Sequence, residues 1–263
     1  MSKRNTSKSG EQEQTMEWCG YNWKSTMEGG RRIHPDNPWY WYSMDCTYVD
    51  SDDVLHIYTR KNPKEFKHWD GKTYSPTMEV GTLRTLESFE YGRFSAEIIV
   101  PKGRNLCPAF WLSGEGNWPP EIDIEEGWPN RRGSYYRTFK DYFPWFGPSW
   151  RTTTNVHYRE DDLRRKHIGS HNICLCAQPK NPTKNYVKYE CEWLPDSIRF
   201  FVNGKEIRKV GESVCRKMRQ NLTDPEKGFR MNVLLNVWTG NPETDEVYQT
   251  TDMLVRNFKY ERM

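Results

Sequence analysis

The chain has 263 residues, and its 39 Lys and Arg residues nearly balance 36 Asp and Glu residues to give a formal net charge of +3. Such a small net charge creates no general field for nucleic acid or a membrane surface, so we expect neither as a partner. Mean hydropathy is low at −0.99, yet 14% of the residues are aromatic, which argues against disorder because disordered chains lack bulky apolar side chains.

The N-terminal segment is rich in Ser, Lys, Glu and Gln and has no apolar stretch of the kind found in a signal peptide. We therefore predict a disordered tail over residues 1–16 and a single folded domain over residues 17–263. No run of 18 apolar residues occurs, which argues against a transmembrane helix. The seven cysteines are odd in number and scattered, so reduced thiols are the simpler interpretation.

Short runs of β-branched and aromatic residues, bounded by turn residues, predict the strands. Asn203-Gly204 predicts a tight hairpin, since both residues accept a positive φ. No segment predicts a convincing amphipathic helix. This pattern favours an all-β fold, a two-sheet antiparallel sandwich with a concave face for a cleft. The clearest predicted strands are 53–59, 92–100, 197–202 and 231–238, and residues 131–150 form a long aromatic loop.

Four potential zinc ligands lie within ten residues of one another. They are His167, His171, Cys174 and Cys176. The two cysteines are separated by a single residue in an alternating segment, which also suits small buried side chains of one face. We favour the buried-thiol interpretation and predict no metal.

The strongest chemical signal is Glu121-Ile-Asp-Ile-Glu-Glu126, a predicted strand with four acids in six residues. Side chains alternate along a strand, so Glu121 and Asp123 share one face and Ile122 lies on the other. Closely spaced carboxylates raise one another's pKa. A proton-holding carboxyl group beside an ionised one is what retaining glycoside hydrolysis requires. A solvated strand edge and a calcium site are the alternatives.

Several motifs besides the acidic strand resemble glycoside hydrolase family 16, the laminarinase, agarase and carrageenase group. The resemblance extends over about residues 38–260 and implies a β-jelly-roll sandwich and a double-displacement mechanism. It is carried by Gly81-Thr-Leu-Arg84, Tyr91-Gly-Arg-Phe94, Pro101-Lys-Gly103, Pro108-Ala-Phe-Trp-Leu112, Glu192-Trp-Leu-Pro-Asp-Ser-Ile-Arg-Phe-Phe-Val-Asn-Gly204 and Leu234-Leu-Asn-Val-Trp238.

The resemblance also implies roles for the acids. Glu121 matches the nucleophile and Asp123 matches the carboxylate that assists it. The acid/base is Glu125 if the strand is regular, or Glu126 if a β-bulge inserts one residue. We favour Glu126, because the Glu-Gly-Trp ending resembles the bulged branch of the family.

The same resemblance implies substrate-binding positions around the acids. Trp111 matches a Trp on the cleft floor, His157 matches a His facing the acid/base, and Arg84 matches a position near the cleft. Trp118 and Trp128 flank the acidic strand closely enough to frame the cleft. Arg256 stands where many members have a calcium-binding Asp, so we predict no calcium there.

These features together predict a monomeric retaining endo-β-glycanase that needs no cofactor and binds a polysaccharide or oligosaccharide. A β-1,3- or mixed-linkage glucan is the first choice of substrate and a marine galactan the second. A carbohydrate-binding protein without catalysis and a transglycosylase are the alternatives. Polysaccharides are extracellular, so we expect extracellular action, although the sequence contains no recognisable export signal.

Overall fold

The computed structural model describes residues 14–27, 30–34, 36–67, 71–115, 118–127, 153–161, 164–170, 181–220, 229–244 and 246–263, with backbone only for 159–161 and 164–170. These residues form 22 strands and one helix. The strands are β1 Thr15–Trp18, β2 Tyr21–Lys24, β3 Ile33–His34, β4 Asn37–Ser43, β5 Thr47–Val49, β6 Leu55–Ile57, β7 Thr59–Lys61, β8 Phe66–Lys67, β9 Thr73–Tyr74, β10 Met78–Thr85, β11 Gly92–Ile99, β12 Gly103–Arg104, β13 Leu106–Gly114, β14 Glu121–Glu126, β15 Thr153–Asp161, β16 Arg164–Ser170, β17 Val187–Trp193, β18 Ile198–Val202, β19 Lys205–Val210, β20 Met231–Thr239, β21 Tyr248–Gln249 and β22 Met253–Glu261; the helix is α1 Glu212–Gln220.

Two large sheets form the fold. The main sheet has the order β1-β2-β10-β20-β13-β14-β15-β16, with β3, β4 and β7 attached through β4 and β10. The second sheet has the order β19-β18-β17-β11-β22-β6-β5. Neighbouring strands are antiparallel except for the parallel pair β4 and β10. The predicted all-β, two-sheet sandwich is confirmed.

Apolar side chains alternate along the strands and fill the space between the sheets. On β11 and just beyond it, Phe94, Ala96, Ile98 and Val100 are fully buried in the main core, as their shared parity predicted. A second buried cluster contains Trp111 and Ala109 of β13, which alternate with the core residues of that strand. This second cluster therefore lies on the outer face of the main sheet.

The predicted hairpin is present between β18 and β19. Asn203 and Gly204 have φ values of 49° and 76°, and Val202 pairs with Lys205 across the turn. These positive φ values explain why Asn followed by Gly occupies the turn.

The expectation that helices are missing was wrong, because α1 covers Glu212–Gln220. Cys215 and Met218 are its buried residues, and Val214 also packs against the main core. The acidic residue in the first turn and the basic residues in the last turn match the helix dipole. The helix is short and presents a narrow apolar stripe, which made the pattern inconspicuous.

Other boundaries also differ from those predicted. The strand predicted over residues 53–59 is divided into β6 and β7, which belong to different sheets. Strand β1 begins at Thr15, inside the predicted tail, of which residues 1–13 lie outside the described part. Among the described residues, no helix has the length and apolar character needed to cross a membrane. The described cysteines at positions 19, 46, 107, 191 and 215 are free thiols.

Candidate active site

Strand β14 carries the acidic motif between β13 and β15, and its pairing contains a β-bulge. Trp111 of β13 pairs with Asp123, whereas the preceding residue, Phe110, pairs with Glu125. Ile124 is therefore the extra residue on β14. The extra residue shifts the alternation of side chains by one position, so Glu126 lies on the same face as Glu121 and Asp123.

The bulge also determines the position of Glu125. It pairs with Phe110, whose ring is in the core between the sheets, and it is fully buried. Glu126 pairs with Ala109, which belongs to the cluster on the outer face, and is only partly buried. Glu126 is thus the later glutamate on the face that carries Glu121 and Asp123.

An indole and an imidazole lie against the carboxylate of Glu121 from two directions. Nε1 of Trp118 donates a hydrogen bond to its Oε2 at 2.5 Å. Nε2 of His157 lies 3.2 Å from its Oε1. The two cis peptide bonds Trp118–Pro119 and Pro119–Pro120 lie between this tryptophan and β14. Trp118 therefore donates to one oxygen of Glu121, and the imidazole of His157 lies beside the other.

His157 also contacts Asp123, since its Nε2 lies 3.0 Å from Oδ2 of that residue. In the strand register His157 lies directly opposite Glu121. The resemblance had implied a histidine that faces the acid/base, and this part of the prediction is corrected. The imidazole bridges the first two acids of β14 instead.

Asn155, two residues earlier on β15, makes the corresponding contact further along β14. It lies opposite Asp123 in the register, and its Nδ2 donates to Oε2 of Glu126 at 3.0 Å. The described side chains on this face of β15 therefore hold all three acids.

Burial raises the pKa of Glu121 well above its ordinary value, and the charge of Asp123 raises it further, while His157 and the hydrogen bond from Trp118 lower it. Burial likewise raises the pKa of Asp123 well above its usual range, with a further contribution from Glu126. Hydrogen bonds from Glu121 and Asn155 act in the opposite direction on Asp123. The cluster consequently retains protons to higher pH than isolated carboxyl groups do.

Glu121, Asp123 and His157 also have the side-chain types that bind metal ions. Ligand atoms of Glu121, Asp123 and His157 lie within 4.8 Å of one another. Their direct hydrogen bonds are sufficient to explain this arrangement.

Arg256, at the position expected to bind calcium in relatives, forms an ion pair with Glu97 at 2.8 Å and lies over the ring of Tyr186.

Aromatic side chains pack together beside the acids, on the same face of the main sheet. Trp111 is 8% exposed and its Nε1 donates to Oδ1 of Asn236 at 2.7 Å. Its ring meets that of Trp238 edge to face at 5.6 Å. Tyr40 and Tyr42 also pack against Trp238. Trp111 is thus on the acidic face, and not beneath the sheet in the main core.

The remaining predicted positions have different outcomes. Arg84 is buried on β10 opposite Leu234 of the outer cluster, and its guanidinium donates to Oδ1 of Asn232 at 2.5 Å. It therefore lies on the acidic face, three strands from β14. Trp118 contacts Glu121 directly. Trp128 lies outside the described residues, as do residues 131–150, His171 and both cysteines of the possible zinc site.

Sequence reasoning missed Asn155 and the aromatic group around Trp238. A signal for Asn155 was present, because it shares strand parity with His157 in Thr154-Asn-Val-His-Tyr158. Asn and aromatic residues are common in strands and loops, so their type alone does not mark a site. The pairing of β15 with β14 identifies Asn155, and the pairing of β20 with β13 brings Trp238 beside Trp111.

Comparison with known proteins supports one family assignment. The sequence profile described as "Glycosyl hydrolases family 16" matches residues 38–254. An endo-1,3-1,4-beta-glycanase of Rhizobium meliloti is 26% identical over 181 residues, which cover 66% of this chain and 31% of that protein. A beta-glucanase of Rhodothermus marinus is 27% identical over 193 residues, covering 67% of this chain and 52% of that protein.

The solved structures include the catalytic domain of an endo-1,3-beta-glucanase (laminarinase) from Thermotoga petrophila. It superposes with a TM-score of 0.62 at 18% identity and covers 100% of this chain and 99% of that one. The expected jelly-roll sandwich is thereby confirmed. The chain spans about a third and about half of the lengths of the two curated relatives above.

Proposed function

Because the chain belongs to glycosyl hydrolases family 16, we propose that it is a retaining, endo-acting glycoside hydrolase that cleaves a β-linked polysaccharide. In this proposal Glu121 is the nucleophile, Asp123 assists it and Glu126 is the acid/base. The observation that carries the proposal is the bulge at Ile124, which brings Glu126 onto the face of the other two acids.

The hydrogen bonds suit Glu121 to the role of nucleophile. The hydrogen bond from Trp118 and the neighbouring imidazole of His157 both lower the pKa of Glu121 and so favour its ionised form. Asp123 lies between two other acids and is more deeply buried, with 3% exposure. We therefore propose that the proton shared by the hydrogen-bonded pair Glu121 and Asp123 moves to Asp123 when Glu121 attacks.

The reaction then takes place in two displacements. In the first, the carboxylate of Glu121 bonds to the anomeric carbon while the glycosidic C–O bond breaks, and the proton of Glu126 passes to the leaving oxygen. In the second, Glu126 takes a proton from water, whose oxygen displaces the ester of Glu121. Each residue returns to its starting protonation state.

The aromatic side chains on the acidic face support a polysaccharide as substrate. Trp111 and Arg84 lie on the acidic face with only 8% and 6% exposure, so in this proposal they support a sugar-binding surface from beneath, and the exposed edge of the indole contacts the C–H face of a sugar ring. The printed names of the two curated relatives refer to a 1,3-1,4-beta-glycan and a beta-glucan. A β-1,3- or mixed-linkage glucan is accordingly our first choice, and a marine galactan the second.

A panel of polysaccharides tests the activity. The protein is incubated with laminarin, lichenan, agarose, porphyran and carrageenan, and products are separated by size. Shorter products from laminarin or lichenan support the proposal, and products longer than a starting oligosaccharide indicate transglycosylation. Absence of any new product from every glycan contradicts the proposed hydrolysis and favours a carbohydrate-binding protein.

Substitution of Glu121 by Gln tests the assigned nucleophile. Glu121→Gln keeps the shape of the side chain but cannot form the glycosyl ester, so kcat on the cleaved glycan should fall by about 10⁴-fold or more. Binding of the same glycan, measured calorimetrically, should persist. Activity above about one per cent of wild type would contradict the assignment.

A further inference from the structure

Strand β15 presents a donor to each neighbouring pair of acids on β14. His157 contacts Glu121 and Asp123, whereas Asn155 contacts Glu126 and also forms a hydrogen bond with Asp123. If β14 were regular, Asp123 would lie opposite Asn155, and Glu125 would be the next acid of β14 on the same face. The bulge therefore places Glu126 diagonally within reach of the amide.

The chemistry of the two acids determines the orientation of the Asn155 amide. Its Nδ2 carries two hydrogens and its Oδ1 carries none, so only the nitrogen can donate to carboxylates. The amide nitrogen faces the acids, since Nδ2 lies 3.0 Å from Oε2 of Glu126 as its donor. One nitrogen then supplies a hydrogen to each of Asp123 and Glu126.

This geometry distinguishes the two oxygens of Glu126. Oε2 accepts from Nδ2 of Asn155 at 3.0 Å, and the carbonyl oxygen of a protonated carboxyl group is the better acceptor. The proton then resides on Oε1. A general acid must have its proton within hydrogen-bonding reach of the leaving oxygen, so the choice of oxygen affects the rate.

Asn155 is held firmly enough to make that choice. It is 9% exposed, and it lies on a strand that pairs with both β14 and β16. The adjacent Thr154 accepts a hydrogen bond at Oγ1 from the guanidinium of Arg208 at 3.2 Å. The position of Asn155 is therefore fixed by the two neighbouring strands and by the contact of Arg208 with Thr154.

We infer that Asn155 is a positioning residue that binds Oε2 of Glu126 and so presents Oε1 as the proton-bearing atom to the leaving oxygen. This inference rests on the proposed role of Glu126 as acid/base. It predicts that loss of the amide impairs protonation of the leaving group and leaves attack by Glu121 largely intact.

The test compares two substrates that differ in their need for an acid. One is a β-glucan oligosaccharide with a sugar leaving group, and the other is the matching dinitrophenyl glycoside, whose leaving group departs without protonation. Asn155→Leu, which keeps the approximate shape but has no donor, should lower kcat/KM on the oligosaccharide by about 10- to 100-fold. On the aryl glycoside the loss should be about threefold or less.

A matched control removes the same type of contact elsewhere. Nδ2 of Asn62 donates to Oε2 of the buried Glu79 at 2.7 Å, away from the acidic strand. Asn62→Leu should leave the ratio of the two activities at its wild-type value. Circular dichroism and Tm are measured for both variants, and the smaller Asn155→Ser is made in parallel in case the leucine prevents folding.

The outcomes separate this inference from the function on which it rests. Equal losses on both substrates, or no loss on either, in a folded Asn155 variant would overturn the positioning role. If Glu126→Gln shows the leaving-group dependence but the Asn155 variants do not, only the inference about Asn155 fails. If Glu126→Gln does not show it either, the acid/base assignment fails as well.

Discussion

The carboxylates of β17 and those of β14 lie on different sheets, and their partners are of different kinds. On β17 of the second sheet, Glu190 and Glu192 are paired with cations: Arg93 lies 2.7 Å from Glu190, and Arg199 lies 2.8 Å from Glu192. Lys188 also lies 2.7 Å from Glu190. These charges are matched by neighbouring opposite charges.

The acids of β14 have a different environment. Their closest described partners are the indole of Trp118, the amide of Asn155 and the imidazole of His157. Arg208 acts on Asp123 but donates its hydrogen bonds to Thr154. The indole and the amide are neutral donors, which fix the geometry of a carboxylate without cancelling its charge, so the mutual repulsion of the acids persists.

The difference explains how one fold accommodates two kinds of acidic strand. Cation-paired carboxylates have their charge balanced by a neighbouring group and take no part in the proposed proton transfers. Carboxylates that are buried among neutral donors are costly, but they can exchange a proton with a substrate. We therefore expect substitutions on β14 to affect turnover and substitutions around β17 to affect stability.

After the loss expected for Glu121→Gln, the largest effect in this comparison is expected for the acid/base. Glu126→Gln should lower kcat on a natural glucan by about 10²- to 10⁴-fold, since no group then protonates the leaving oxygen. Activity on an aryl glycoside with a good leaving group should be retained in the first displacement. Steady-state kinetics on the two substrates measure the difference.

Glu125→Gln is the matched control for that experiment, because it makes the same replacement of a carboxylate by an amide at the adjacent glutamate. Glu125 pairs with Phe110 of the core face, so its substitution should not produce dependence on the leaving group. If Glu125→Gln showed that dependence and Glu126→Gln did not, the acid/base assignment would pass to Glu125. The contrast between the two faces of β14 would then be wrong.

The next effect is expected for Asp123, whose pKa is raised first by burial and then by Glu126. Asp123→Asn resembles the protonated form and removes the charge that raises the pKa of Glu121. The acid limb of the pH–rate profile should therefore move to lower pH. We expect kcat to fall by about tenfold or more, since a shift of one pKa unit changes the free energy by about 1.4 kcal/mol.

The same variant has a predicted effect on stability. A carboxyl group with a raised pKa in the folded state contributes stability at low pH and loses that contribution as pH rises through the folded value. The Tm of Asp123→Asn relative to wild type should therefore increase between about pH 4 and about pH 8. A constant Tm difference over that range would contradict the raised pKa.

Much of this arrangement could be predicted from local sequence. Alternation along 92–100, the Asn203-Gly204 turn and the acidic motif itself each depend on neighbours in the chain. The choice between Glu125 and Glu126 required the register, because Ala109 and Phe110 select the face on which each glutamate lies. The family resemblance favoured Glu126, but alternation alone left both possibilities open.

Contacts between strands that are distant in sequence could not be predicted in this way. Asn155 lies 29 residues from Glu126, and Asn236 lies 125 residues from Trp111. Helix α1 was missed for another reason: its apolar residues have helical spacing, but Val214, Cys215 and Met218 are only three residues in a nine-residue polar segment.

The smallest effect on activity is expected on the second sheet. Arg93→Met keeps the aliphatic stem but removes the cation that lies 2.7 Å from the buried carboxylate of Glu190. Arg93 is about one-third exposed and Lys188 still lies beside Glu190, so we expect a loss of only about 1 kcal/mol and a decrease in Tm of about 2–4 °C. Values of kcat and KM should equal those of wild type. Thermal unfolding and kinetics on one preparation measure both, and a decrease in kcat without a change in Tm would contradict the division between cation-paired and donor-held carboxylates.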